Sequence, residues 1–231
     1  MTVTTTHPTA ADFYARQRPA GLFTQVVSQR LGAYIAVGAE RAGIRPTTLT
    51  LANLLIGAAT SLYVGLGIGH LPSWLVGLVA LVGWQLAYAL DCADGQLARV
   101  TGTGSPAGAR VDILADVALQ ICLVAAVGRV AVAERPSTPV WLVGAFAGTW
   151  MINLVTSVMA KEGTNESLVA SASLPVRLVK LIRDYGAIVT LICLVIAVIP
   201  SWTVALLVLF TAVNGLFLLA SIAAAARASM R

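Results

Sequence analysis

The chain has 231 residues, of which 58% are hydrophobic and only 11% are charged. An ordinary soluble domain carries about 25% charged residues, and a chain this short cannot bury so much apolar surface in one aqueous core. The composition therefore argues against a soluble globular domain and against a disordered chain. The net charge of +5 is typical of a membrane protein with basic cytoplasmic loops, and we expect no nucleic-acid partner.

Six apolar stretches predict membrane-spanning helices, which need about 20 mainly apolar residues each. In chain order they are Thr47–Ile68, Pro72–Asp91, Val111–Val132, Pro139–Ala160, Tyr185–Ile199 and Trp202–Ala225. The predicted fold class is all-α: an integral membrane bundle of six transmembrane helices preceded by an N-terminal amphipathic juxtamembrane helix. We expect residues 1–20 to be a flexible cytoplasmic tail and residues 21–231 to form a single membrane domain. Its surface helix covers residues 21–43, and the alternative for that segment is a soluble helix packed on the bundle ends.

The basic residues predict how the chain is oriented in the membrane. With the N-terminus inside, only Arg129 and Arg135 of the 15 Lys and Arg residues fall on the outer side. Cytoplasmic loops carry an excess of Lys and Arg, so both termini should face the cytoplasm. We predict a multi-pass protein of the bacterial plasma membrane.

Four of the ten acidic residues lie where the second and third predicted spans reach the cytoplasmic face. Asp91 and Asp94 are three residues apart and Asp112 and Asp116 are four apart, so each pair projects from one helix face. Four carboxylates around one small volume would repel each other unless cations lay among them. Hard oxygen ligands suit Mg²⁺, Mn²⁺ or Ca²⁺, and two cations held by shared carboxylates would suit phosphoryl transfer.

Small and basic residues lie between the two acidic pairs. Gly95, Ala98 and Gly108 allow a backbone or a ligand to approach closely, and Arg99 and Arg110 can neutralise phosphate oxygens. Together with the acids, these residues predict a diphosphate substrate. The alternative is a structural salt-bridge network, in which four acids would face only two arginines.

The acidic and small residues together carry a resemblance to the CDP-alcohol phosphotransferase family. The matching signature is Asp91-x-x-Asp94-Gly95-x-x-Ala98-Arg99, then eight residues, then Gly108-x-x-x-Asp112-x-x-x-Asp116. Asp-rich motifs of polyprenyl-transferring membrane enzymes typically lack the continuation after Asp94. The six-helix pattern with its surface helix extends the resemblance over nearly the whole chain.

The resemblance implies an enzyme that moves a substituted phosphate from a CDP-linked donor to an alcohol and releases CMP. It implies that Asp91, Asp94, Asp112 and Asp116 bind two divalent cations, Mg²⁺ or Mn²⁺, and that Asp116 is the general base. It also implies a homodimer and a set of residues that bind the donor nucleotide. These are Asp94, Gly95, Ala98, Arg99, Gly108 and Asp112.

The sequence departs from the family pattern before the first predicted span. Many family members carry Pro-Asn-x-x-Thr there, whereas this chain has Thr47 after Pro46, with Thr50 completing the pattern. Thr50 and Asn53 are candidates for reaching the donor site. An interhelical hydrogen bond is the alternative for Asn53.

The acceptor is the least constrained part of the sequence prediction. Lys161, Arg177 and Arg183 are candidate acceptor-binding residues, because cations near a metal site suit inositol phosphate or glycerol phosphate. The alternative is that they follow the positive-inside rule alone. We expect CDP-diacylglycerol as donor; transfer of a CDP-linked head group to a lipid alcohol is the alternative, and a cation transporter that uses the Asp cluster is a remote one.

Overall fold

The computed structural model describes residues 7–162 and 184–230, and the regular secondary structure of these residues consists of helices. Three short helices come first, and six longer ones follow. They are α1 Ala10–Ala15, α2 Leu22–Val26, α3 Ser28–Arg41, α4 Pro46–Gly67, α5 Ser73–Thr101, α6 Pro106–Glu134, α7 Val140–Glu162, α8 Tyr185–Val198 and α9 Thr203–Ser229, the last entered through a 3₁₀ turn at Pro200–Trp202. No β-strand occurs in the described residues, and the all-α prediction is confirmed.

Several helices are apolar enough to mark a multi-pass membrane protein. Four have both the length and the composition to cross a bilayer. These are Pro46–Gly67, Ser73–Thr101, Pro106–Glu134 and Pro200–Arg227. Two shorter apolar helical stretches, Val140–Ile152 and Tyr185–Val198, fall below that length, so the count of six spans stays a prediction.

The second and third predicted spans are longer as helices than their apolar stretches. Helix α5 continues ten residues beyond Asp91 to Thr101, and α6 begins at Pro106. A hydropathy pattern detects only the apolar part of a helix. The polar turns at the end of α5 and the start of α6 depend instead on residues that favour helix ends. Gly102, at φ +67°, ends α5 in the left-handed region that glycine adopts at low cost, and Pro106 suits a first helical turn. Both acidic pairs are therefore on helices, on either side of the short connection 102–105.

The segment before the first long helix packs on α5. In the tail predicted at residues 1–20, α1 buries Phe13 completely. Helix α3 buries small residues, and a Cβ added at Gly32 would lie 2.9 Å from Cys92 Cβ and 3.0 Å from the Ala89 carbonyl oxygen. This close approach places α3 beside the part of α5 that carries Asp91 and Asp94.

The described residues fall into two compact units. One comprises residues 7–60, 80–119 and 184–191, and it contains every position of the acidic signature. Phe13, Leu49, Leu90 and Leu97 belong to its buried core. The other unit comprises residues 61–79, 120–162 and 192–230, and in it α7 packs on α9 with the rings of Trp150 and Phe210 5.9 Å apart.

Candidate active site

Three of the four signature aspartates come together in the structure. Asp91 lies on α5, and Asp112 and Asp116 lie one turn apart near the start of α6. Each is half-buried and offers one carboxylate oxygen, and these three oxygens all lie within 4.8 Å of one another. The helical spacing of Asp112 and Asp116 aligns them, and the packing of α5 against α6 supplies the third carboxylate.

The fourth aspartate has a different environment. Asp94 is buried, with 6% of its surface exposed, and it does not belong to the three-carboxylate group. One of its oxygens accepts a hydrogen bond of 2.5 Å from the Thr50 hydroxyl on α4. Asp94 also experiences electrostatic repulsion from Asp112 and Asp116, so the four acids act on one another even though their contacts differ.

The cluster formed by the carboxylates of Asp91, Asp112 and Asp116 fits a divalent cation. Mg²⁺ binds oxygen at about 2.0–2.1 Å and Ca²⁺ at about 2.3–2.6 Å, so ligands on opposite sides of one ion are about 4–5 Å apart. The three oxygens of Asp91, Asp112 and Asp116 are no more than 4.8 Å apart, so they are close enough to ligate one ion. A bound cation would also offset the repulsion that three clustered carboxylates create. The residues present therefore suit the ions predicted from the sequence.

The small residues of the signature lie close to other side chains of the same region. A Cβ added at Gly95 would lie 2.9 Å from the Arg99 Nη1 atom, so the guanidinium of Arg99 lies over this glycine. A Cβ added at Gly108 would lie 3.4 Å from Thr47 Oγ1. Thr47, the residue that departs from the family pattern, is thus next to one of the predicted donor-binding glycines. Ala98 faces Gly104, whose added Cβ would lie 3.7 Å from Ala98 Cβ.

Local hydrogen bonds hold the first turn of α6 in place. The Ser105 hydroxyl accepts a hydrogen bond of 3.0 Å from the Gly108 backbone N–H. Serine before a helix commonly satisfies a backbone donor of the first turn in this way. This cap fixes the start of the helix nearly two turns before Asp112.

Arg99 connects the acidic signature to the N-terminal segment. Its Nε donates a hydrogen bond of 2.6 Å to the Arg16 carbonyl oxygen. It is attracted by Asp94 and Asp112 and repelled by Arg18. The sequence predicted the role of Arg99 near phosphates, but it gave no indication of this contact.

A second polar network lies one turn before Asp91, and the sequence did not predict it. Asp184, 3% exposed, accepts hydrogen bonds from the Thr24 hydroxyl at 2.5 Å and from the Thr24 backbone N–H at 3.1 Å. The Thr24 hydroxyl also lies 3.3 Å from the Tyr88 hydroxyl. Asp184 is placed just before α8, where it also receives the Ala187 N–H at 3.5 Å. The only sequence signal was the position of Tyr88, three residues before Asp91.

The predicted acceptor residues fall mostly outside the described part of the chain. Arg177 and Arg183 lie outside the described residues. Lys161 is on α7, whose backbone is described there. The acceptor assignment therefore rests on the sequence.

The comparisons identify the class of protein to which this site belongs. The family model for CDP-alcohol phosphatidyltransferase matches residues 44–213, and the chain belongs to this family. It is a CDP-alcohol phosphotransferase, from a family of membrane enzymes that transfer a phosphatidyl group from a CDP-alcohol to an alcohol and generally use divalent metals. No curated protein sequence matches the chain significantly.

Proposed function

We propose that this enzyme transfers phosphatidate from CDP-diacylglycerol to a hydroxyl of a phosphorylated polyol, such as inositol phosphate or glycerol phosphate. The alcohol oxygen forms a new bond to the phosphorus remote from cytidine. The bond between that phosphorus and the bridging oxygen breaks, and CMP leaves with the electron pair. The observation that carries this proposal is the group of Asp91, Asp112 and Asp116, whose carboxylate oxygens lie within 4.8 Å of one another.

The four aspartates have complementary roles in the proposed reaction. Asp91, Asp94, Asp112 and Asp116 would hold two divalent cations, Mg²⁺ or Mn²⁺, and the cations would neutralise the diphosphate. Asp116 takes the proton of the acceptor hydroxyl. Neighbouring carboxylates raise the proton affinity of a carboxylate, whereas a bound cation lowers that of its ligands. The choice of Asp116 as the base therefore follows the family resemblance.

The donor nucleotide would lie along the end of α5 and the start of α6. Gly95, Ala98 and Gly108 leave space for the nucleotide, and Asp94, Arg99 and Asp112 contribute polar groups. The Arg99 guanidinium over Gly95 supports a position near the donor phosphates, because guanidinium groups bind phosphate oxygens in a bidentate manner. Lys161, Arg177 and Arg183 would bind the acceptor phosphate.

The proposed setting is a six-span bundle in a bacterial plasma membrane, with both termini and the active site facing the cytoplasm. The N-terminal helices would lie on the membrane surface. In support, α2 and α3 expose large apolar side chains while burying small or polar ones. The exposed set is Leu22, Val26, Leu31 and Tyr34, with Tyr34 70% exposed. Such a face suits the boundary between headgroups and acyl chains. The proposed assembly is a homodimer.

The reaction is tested by measuring CMP release. Purified protein is incubated with CDP-diacylglycerol, Mg²⁺ or Mn²⁺, and inositol, glycerol, inositol 1-phosphate or glycerol 3-phosphate in separate reactions. We expect CMP release only with a phosphorylated acceptor. A parallel reaction with CDP-choline and diacylglycerol tests head-group transfer, and CMP release there alone would contradict the proposed donor.

A further inference from the structure

The N-terminal segment contacts the acidic signature. Residues 7–43 precede the part of the chain that matches the family model, which begins at residue 44. The segment nevertheless contacts the signature directly, because the Arg16 carbonyl oxygen accepts the 2.6 Å hydrogen bond from Arg99. The contact therefore joins a segment outside the matched residues to the signature.

A chain of amide hydrogen bonds fixes the main chain at Arg18. Gln96, in the signature and fully buried, donates a hydrogen bond of 3.0 Å to the Gln29 carbonyl oxygen. The Gln29 side chain, itself 6% exposed, donates one of 2.9 Å to the Arg18 carbonyl oxygen. The Gln25 side chain holds the Ala20 carbonyl in the same way, at 2.8 Å. Side chains from α2, α3 and α5 thus hold the irregular segment between α1 and α2 in one conformation.

Arg18 lies near Arg99. Arg18 is exposed, and its main chain is two residues from the Arg16 carbonyl that accepts the hydrogen bond of Arg99. Arg18 repels Arg99 electrostatically, whereas Asp94 and Asp112 attract it. Like charges held close together cost free energy, and an anion that contacts both would offset this cost. Arginine binds phosphate oxygens with short, charge-assisted hydrogen bonds.

We propose that Arg18 is a phosphate-binding residue of the active site and acts together with Arg99. The ligand chemistry is a phosphate oxyanion. This phosphate would belong either to the diphosphate of the CDP-linked donor or to a phosphate ester on the acceptor. The naming of these two sources rests on the proposed function.

Direct binding measurements test this role without turnover. Detergent-solubilised full-length protein with Mg²⁺ is titrated with CDP, inositol 1-phosphate and glycerol 3-phosphate, and with inositol and glycerol as unphosphorylated probes. We expect Arg18→Ala to weaken binding of at least one phosphorylated probe by about tenfold, because a charge-assisted hydrogen bond is lost. Arg18→Lys, which retains the charge, should lose less.

Arg41→Ala is the matched control, because Arg41 is an exposed arginine at the end of α3 in the same N-terminal segment. It should bind all probes as the wild type does. Weaker binding of CDP alone assigns Arg18 to the donor diphosphate, and weaker binding of the phosphorylated alcohols alone assigns it to the acceptor. Unchanged affinities in Arg18→Ala, an equal loss in Arg41→Ala, or no binding of any phosphorylated probe by the wild type would overturn the inference.

Parallel CMP-release assays separate this inference from the proposed reaction. If the wild type binds phosphorylated probes through Arg18 but releases no CMP with any acceptor, the proposed reaction is wrong and the phosphate site stands. If the wild type releases CMP while Arg18→Ala keeps wild-type affinities and KM values, the reaction stands and the role of Arg18 is wrong.

Discussion

The hydroxyl of Thr50 donates a 2.5 Å hydrogen bond to the carboxylate of Asp94. This contact joins α4 to α5, because Thr50 lies near the start of α4 and Asp94 on the later part of α5. Both side chains are buried. A buried carboxylate without a hydrogen-bond donor costs free energy, and its side chain can also rotate. The hydrogen bond from Thr50 therefore holds the Asp94 side chain in one orientation.

Removing this donor should therefore lower activity. We expect Thr50→Val to reduce kcat/KM for CMP release by about tenfold to a hundredfold, since a hydrogen bond to a charged group contributes about 1.5–3 kcal/mol. Thr50→Ser keeps the hydroxyl and should retain most of the activity. The exposed Thr48 offers a control on the same helix, and a Thr50→Val enzyme as active as Thr48→Val would argue against the role of Thr50.

Replacing the proposed base should abolish turnover without unfolding the protein. Asp116→Asn keeps the size of the side chain but cannot accept the proton of the alcohol. We expect CMP release to fall by about 10²–10⁴-fold, the usual contribution of general-base catalysis. Thermal unfolding in detergent serves as the check on folding. Activity within a few-fold of the wild type would remove Asp116 as the base.

The cluster of three aspartates should make the activity depend on a divalent metal ion. Chelation with EDTA should eliminate CMP release, and added Mg²⁺ or Mn²⁺ should restore it, because Asp91, Asp112 and Asp116 are spaced to ligate a cation. Mn²⁺ binding, followed by electron paramagnetic resonance, should weaken in Asp91→Asn. Asp12→Asn is the control, since Asp12 is exposed and its carboxylate accepts hydrogen bonds from Thr9. Metal-independent CMP release would contradict this prediction.

Two glycines of α3 should respond oppositely to alanine. A Cβ at Gly32 would meet the α5 backbone, 3.0 Å from the Ala89 carbonyl oxygen and 3.1 Å from the Ala93 nitrogen. Because backbone cannot move aside cheaply, we expect Gly32→Ala to lower the free energy of unfolding by about 1–3 kcal/mol. An added Cβ at Gly38 has no atom within 4 Å, so Gly38→Ala should raise it by up to about 1 kcal/mol. Thermal unfolding in detergent measures both, and equal effects would contradict the packing of α3 on α5.

The Asp184 network should stabilise the N-terminal helices. Asp184→Ala would leave the Thr24 hydroxyl and backbone N–H without their acceptor, which we expect to lower the free energy of unfolding by about 1–3 kcal/mol. Hydrogen exchange at α2 should increase more than at α9. Asp12→Ala, at an exposed carboxylate, is the matched control. Unchanged exchange at α2 would show that Asp184 does not hold this helix.

The sequence by itself determined the family, its type of reaction and the class of fold. Apolar stretches located the long helices, and the fifth prediction, Tyr185–Ile199, differs from α8 by one residue, whereas α5 extends ten residues beyond the second. The spacing of Asp112 and Asp116 predicted their shared face, because the helical repeat fixes the relation between residues three or four apart. The family resemblance likewise followed from residues within one short stretch of chain, and the family match confirms it.

Only the tertiary structure decided which distant side chains meet. Asp91 and Asp94 share a helix face, yet Asp91 lies with Asp112 and Asp116 while Asp94 accepts the Thr50 hydroxyl. Arg99 meets the Arg16 carbonyl across 83 positions of sequence. Such contacts depend on how helices cross and on where small residues such as Gly32 allow close approach. That geometry follows from the packing of many side chains together, whereas a motif records only residues close in sequence.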